Sequence, residues 1–356
     1  MIPRFFILFM ICSPILCLGQ MVTKDFKFKF ENRQYSGILD LPENRRAISL
    51  VVLVPGSGRT NIVEENWNHE LRKRLTEMGI ACYSYDKAGC GMSEGEFDYN
   101  QSVENSSKEV LAAIQGLREA KIPGSNNLGL WGISRGGWIC PLAIEQDTSI
   151  AFWISVSGPN HLENMVHLLK TNWLIEGRSK EDTEMLAEEW LEGYRIAFEN
   201  GSFEAFLEAR ENFNKDPFVQ FLNGGKAPTE EGFNDFREYL SESNIELDPG
   251  TGLGIVLPEF DTLLKKIECP VLAIWGKKDS QVDWKASKGL YWETIGATGK
   301  LTTKTFADCN HLMQTCEDCG MKESYEDLVA KGLGQPCEGY YEAIETWLLE
   351  NGFGDN

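Results

Sequence analysis

Gly129-Leu130-Trp131-Gly132-Ile133-Ser134-Arg135-Gly136-Gly137-Trp138 is the stretch on which the reading of this chain turns. Apolar residues lead in from Leu128 to Trp131, and a helix-like run leads out from Trp138 to Glu145. Between them lies G-x-S-x-G, spelled Gly132, Ile133, Ser134, Arg135, Gly136. A strand that becomes a helix within one residue holds that residue in a strained backbone conformation and puts its side chain at the tip of the turn. Glycines on either side remove Cβ atoms that would clash there. The helix N-terminus also aims at the turn, so the Arg135 amide is placed to hold an oxyanion. Without that context the pattern is a glycine-serine turn; with it, Ser134 is a candidate nucleophile.

Working outward, residues 24–42 alternate as two strands, with Phe26, Phe28 and Phe30 on one face and Glu31-Asn32-Arg33 as the turn. Ala47 to Val54 is almost continuously apolar, as in a strand covered on both faces, and ends in Pro55-Gly56-Ser57-Gly58. Leu71 to Gly79 reads as helix, Ile80 to Tyr85 as strand, and Ser102 to Ala120 as a helix with Val103, Val110, Ile114 and Leu117 on one stripe. The strand before Ser134 and another at Ile150 to Val156 complete a β-α-β-α-β order, which implies a mostly parallel, doubly wound α/β sheet.

The pattern changes after Gly158-Pro159. From His161 to Phe260 there are 21 acidic and 8 basic residues, against a net charge of −20 for the whole chain. Leu186, Trp190, Tyr194 and Phe198 recur every four residues, and Phe203, Phe206, Phe213, Phe218 and Phe221 follow. This reads as a helical insertion between two strands, expected to act as a lid. Most of its aromatics serve its own core, and a few, Trp190 among them, are expected to line a pocket. The sheet then resumes with strands at Cys269 to Trp275 and Leu301 to Phe306, separated by a helix from Trp284 to Ile295. Residues 312–338 read as a long cysteine-bearing loop, and Tyr340 to Leu349 as a closing helix. The expected division is 1–19 leader, 20–160 and 261–356 core, and 161–260 lid.

The leader has Arg4 at its start, an apolar run from Phe5 to Leu18 broken by Ser13 and Pro14, and small residues Cys17 and Gly19 before a cleavage at Gln20. It reads as a secretory signal. The rival, a membrane anchor, is disfavoured by the short run and by Pro14. The protein is therefore expected in the periplasm or outside the cell, with no stable membrane insertion after cleavage. The pI of about 4.7 and the lack of a Lys/Arg block exclude a nucleic-acid partner. Of ten cysteines, Cys12 and Cys17 fall in the leader; Cys309, Cys316, Cys319 and Cys337 cluster. Export favours disulfides there, although Cys316-x-x-Cys319 also has the spacing of a zinc ligand pair. Cys82 and Cys140 fall in apolar elements and read as buried and inert.

Acyl transfer by a serine needs a base, an acid to orient the base, and an oxyanion hole. His311, in the loop after the last strand, is the candidate base; the other histidines, His69, His161 and His167, lie at a helix start or in the insertion. Asp279, after the preceding strand, is the candidate acid, with Asp283 and Asp308 as rivals. The oxyanion donors are the amides of Ser57 and Arg135, while Gly56 and Gly58 let the backbone approach the substrate.

These motifs make the chain resemble the α/β-hydrolase family over nearly all residues after about 24. Pro55-Gly56-Ser57-Gly58 stands where the family often has His-Gly-x-Gly. Asp86-Lys87-Ala88-Gly89-Cys90-Gly91-Met92-Ser93 is similar to its D-x-R-G-x-G-x-S loop, with Ala88 in place of Arg. Ser134, Asp279 and His311 follow its nucleophile, acid, base order. The resemblance implies a serine hydrolase of bacterial esterase or acyl-hydrolase type, acting on a small acyl substrate with neither metal nor organic cofactor. A peptidase or aminopeptidase of the same fold and a thioesterase or acyltransferase are the alternatives. The oligomeric state is not legible from the residues.

Overall fold

A computed structural model describes residues 21–242, 245–323 and 325–355. The leader therefore lies outside the described residues.

Strands β1 (Met21–Phe30) and β2 (Arg33–Pro42) form an antiparallel hairpin. β3 (Ser49–Val54) follows, then helix α1 (His69–Glu77), β4 (Ile80–Tyr85), α2 (Val103–Glu119), β5 (Leu128–Ile133), α3 (Gly136–Gln146) and β6 (Phe152–Val156). A helical segment comes next: α4 (Met165–Ile175), α5 (Lys180–Phe198), α6 (Phe203–Ala209), α7 (Glu211–Lys215), α8 (Pro217–Leu222) and α9 (Glu230–Glu242). It closes with the short pair β7 (Glu246–Leu247) and β8 (Gly254–Ile255). The chain returns through α10 (Phe260–Lys265), β9 (Val271–Gly276), α11 (Trp284–Glu293), β10 (Leu301–Phe306), α12 (Tyr325–Ala330) and α13 (Tyr340–Glu350).

The main sheet runs β1-β2-β4-β3-β5-β6-β9-β10. The pairings from β4 to β10 are parallel, and those of β1 with β2 and β2 with β4 are antiparallel. The continuous apolar runs explain the layering. In β3, Leu50, Val52 and Val54 point into the core beneath α2, α3, α10 and α11. Val51 and Leu53 point into the opposite core, beneath α1 and α13. A strand buried on both faces has no polar side, which is why alternation disappears from its sequence. Beneath α1, Arg72 and Asp40 form an ion pair, both fully buried, and Thr23 Oγ1 donates to the other Asp40 oxygen at 2.5 Å.

The helical segment has a core of its own, including Trp173, Trp190, Tyr194, Phe206, Phe213, Phe218 and Phe233. On α5, Leu186, Trp190 and Tyr194 are buried, but Phe198 is 37% exposed. A spacing of four overshoots a 3.6-residue turn by about 40° per step, so the fourth member has rotated out of the apolar face. The segment's two ends run side by side: Val256 N donates to His161 O at 2.9 Å, and Glu163 N to Gly254 O at 2.9 Å. Residues 312–338 are not all loop, since α12 lies among them. Cys309 stands at disulfide distance from Cys337, and Cys316 from Cys319. Cys82 and Cys140 are free and buried.

Candidate active site

The turn between β5 and α3 has the geometry that its glycines imply. Ser134 has φ 53°, in the left-handed region that an L-residue with a Cβ rarely enters. Its amide is held by the end of β6, donating to Val156 O at 2.9 Å, and its carbonyl accepts from Gly137 N at 2.7 Å. A Cβ at Gly132 would come within 2.6 Å of Cys140 Sγ and 2.9 Å of Gly136 O, so only glycine lets helix and strand meet this closely. Arg135 occupies the N-cap position of α3 without a side-chain cap bond. Its side chain turns away to bond Ser106 Oγ at 2.9 Å and the carbonyl of Gln101.

His311 and Asp279 converge from separate loops. His311 Nδ1 lies 2.8 Å from Asp279 Oδ2, and both side chains are buried. The carboxylate is oriented beforehand, because its other oxygen accepts the amides of Gln281 at 2.8 Å and Val282 at 2.9 Å. The His311 carbonyl accepts from buried Ser157 Oγ at 2.8 Å, and Asn310 Oδ1 ties the turn by accepting from Leu312 N and Gln314 N. Gly276, at the end of β9, lets this loop come in: a Cβ there would lie 2.3 Å from Cys309 O. The other two aspartates do different work. Asp283 caps α11 by accepting from Lys285 N and Ala286 N, and exposed Asp308 pairs with Lys278 at 3.2 Å. Of the remaining histidines, His69 opens α1, while His167 Nε2 lies 3.4 Å from the Asp279 carbonyl oxygen.

The Pro55–Gly58 loop packs directly on the turn. A Cβ at Gly56 would come within 3.1 Å of Ser134 Cβ and 3.7 Å of its Oγ. Ser57 is exposed, and Gly58 has φ +82°. Lys87, from the loop after β4, donates through Nζ to the carbonyls of Gly56 and Gly58. Lys87, Ser157 and Gly276 carry roles that their residue types alone do not announce. Asp86, beside Lys87, accepts from Ile62 N at 2.7 Å.

Trp190 stands apart from these residues. It lines a cavity of about 500 Å³ within the helical segment, with Tyr194, Phe206, Phe233, Phe236 and Tyr239. Ser134, Asp279 and His311 do not line that cavity. Tyr239 in its wall lies near enough to Arg135 to interact with its charge. Glu163 also lines it; Oε1 of this carboxyl is buried without a partner, and burial pushes the group up to about 8.

The family described as serine aminopeptidase, S33, matches residues 46–176, which run from just before β3 to the end of α4. No curated protein matches the chain in sequence. Among solved structures, the esterase Pf2001 of Pyrococcus furiosus is 13% identical with a TM-score of 0.54, covering 93% of each chain. Est1E of Butyrivibrio proteoclasticus, with ferulic acid bound, is 16% identical with a TM-score of 0.51, covering 92% of this chain and 98% of its own. A membrane phospholipase A described as a bacterial virulence factor is 15% identical with a TM-score of 0.53, covering 93% of this chain and 87% of its own. Sheet order, the turn at Ser134 and the family match over residues 46–176 agree: the chain has the α/β-hydrolase fold and is a hydrolytic enzyme.

Proposed function

We propose that this protein is an exported serine hydrolase that cleaves carboxylic esters. Ser134 attacks the acyl carbonyl while His311 takes its proton, with Asp279 holding the imidazole in the productive tautomer. The amides of Ser57 and Arg135 hold the oxyanion. The acyl-enzyme is then released by a water that His311 activates. The observation that carries this reading is the buried 2.8 Å contact of His311 Nδ1 with Asp279 Oδ2. A fixed carboxylate on one ring nitrogen leaves the other to act as base. Residues 161–260 serve as a lid, and the aromatic cavity that includes Trp190 holds the apolar part of the substrate. The likeness to the Pyrococcus furiosus esterase Pf2001 supports the choice of ester. The paired cysteines suit an oxidising compartment, and no helix among the described residues is long and apolar enough to cross a membrane.

A second reading, release of an N-terminal residue from a peptide, is favoured by the serine aminopeptidase match. One panel separates the two. Mature protein is assayed on p-nitrophenyl esters of rising length, aminoacyl p-nitroanilides and acyl thioesters. Turnover of esters with no measurable anilide cleavage supports the first reading; the reverse supports the second.

A further inference from the structure

We propose that Lys87 is a positioning residue of the oxyanion loop: its ammonium group fixes the Gly56–Ser57 peptide so that the Ser57 amide stands ready as an oxyanion donor. The inference rests on the ester-hydrolase reading above.

Lys87 Nζ donates to the carbonyl oxygen of Gly56 at 2.5 Å and to that of Gly58 at 2.8 Å. Its backbone N–H donates to Thr60 Oγ1 at 2.9 Å, so the loop is tied to this one residue at three points. Peptide planarity makes the first tie consequential. The Gly56 carbonyl and the Ser57 N–H belong to the same trans peptide unit and point in opposite directions. Holding the oxygen on the Lys87 side therefore turns the Ser57 N–H to the other side. Gly56, where that unit begins, is packed on Ser134.

Arg59 ties the far side of the loop, donating through Nη2 to Gly89 O at 2.7 Å, but the Gly56–Ser57 peptide itself is held by Lys87. Ser57 is exposed between Gly56 and Gly58, and glycines on both sides leave a backbone many conformations. An oxyanion donor is effective when it needs no reorganisation as charge develops. Lys87 also lacks the usual reason for a half-buried lysine. Among the described residues no carboxylate forms an ion pair with it. Glu109 of α2 is already bonded by Tyr35 at 2.7 Å and Gln101 at 2.6 Å. Burial, with the Arg135 charge beside it, pushes the Lys87 ammonium down to about 8, while Glu109 and Cys90 act in the opposite direction.

The test compares full-length wild type with Lys87→Met and Lys87→Arg. The readouts are kcat and KM on a p-nitrophenyl ester, the rate of fluorophosphonate labelling, hydrogen exchange over residues 55–60, and thermal melting. Lys87→Met is expected to lose about 10- to 100-fold in kcat, with KM within about twofold, melting little changed and loop amides exchanging faster. Lys87→Arg keeps a donor and should recover part of the loss. Above about pH 8 the wild-type lysine becomes neutral and its hold weakens, whereas a guanidinium stays charged. Wild-type kcat should therefore fall relative to Lys87→Arg above that pH. Glu163 titrates in the same range in both proteins, so the difference reads Lys87 alone.

The inference is overturned if Lys87→Met keeps kcat within about threefold of wild type, or loses activity through KM alone. If Lys87→Met does not fold, Lys87→Arg decides: a pH profile identical to wild type overturns the inference, and the divergence above pH 8 sustains it. If wild type neither turns over esters nor labels, the ester reading fails. Exchange over the loop then still judges Lys87: unchanged exchange in Lys87→Met overturns the tie, and faster exchange sustains it.

Discussion

Asp279 divides its carboxylate between two tasks, with Oδ2 2.8 Å from His311 Nδ1 and Oδ1 accepting the amides of Gln281 and Val282. A group oriented from behind in this way meets the imidazole without having to be organised during reaction. Asp308, closer to His311 in sequence, faces outward to Lys278 instead.

Asp279→Asn should therefore lower kcat by about three to four orders of magnitude, because an amide in its place favours the wrong imidazole tautomer. Asp308→Asn should change kcat by less than about threefold, since it breaks only an exposed ion pair. Steady-state kinetics on one ester measure both, and the opposite ranking would move the orienting acid to Asp308.

The sheet was legible because buried parallel strands write themselves as unbroken apolar runs, as at Leu50 to Val54. The turn at Ser134 was legible because its glycines are obligatory. The choice of Asp279 over its rivals followed from its place at the end of a strand; the contacts that separate it from Asp308, to His311 and Lys278 respectively, are long-range, while Asp283 is occupied by local cap bonds. Lys87 was not legible, since its partners are backbone carbonyls that leave no trace in residue type. Phe198 misled through its spacing, and the helix Tyr325–Ala330 was hidden among turn-forming residues.

Glu163 gives the protein a pH signature. Its carboxyl sits at about 8 rather than 4.5, raised by burial. Between those values the folded state binds the extra proton, so this group's contribution to stability falls as pH rises through that window. Glu163→Gln removes the effect. Relative to wild type, the variant should gain about 1–3 kcal/mol of stability between pH 5 and pH 8. Denaturant melts at the two pH values test this; a constant difference would contradict it.

The Cys309–Cys337 pair closes a sequence separation of 28 residues, against 3 for Cys316–Cys319. Loop closure gives the longer link about 3–4 kcal/mol of stabilisation. The cysteine segment also reaches the acid loop. Ser280 Oγ donates to Cys319 O at 2.7 Å, and Asn172 Nδ2 of α4 donates to Ser280 O at 3.1 Å. Cys309→Ser with Cys337→Ser should lower the melting temperature by several degrees. Non-reducing peptide mapping of wild type should find both links; free thiols at all four positions would contradict the assignment.

The segment from 161 to 260 leaves β6 beside Ser134 and holds the aromatic cavity. Trp190→Ala should shift the preferred ester length, or loosen the segment, without abolishing phosphonate labelling. Excising 161–260 and bridging the clasped ends with a short Gly/Ser linker is the stronger test. An excised protein that folds and keeps the same length preference would show that the segment takes no part in substrate choice.

The most direct measurement of the central claim is covalent labelling of Ser134. Wild type treated with a fluorophosphonate should gain one adduct mass, placed by peptide sequencing on Ser134, with loss of ester turnover in step. Ser134→Ala should keep its melting temperature, take up no label, and lose turnover by about six orders of magnitude. Labelling of the alanine variant at the wild-type rate, or an adduct mapped to another residue, would contradict the account.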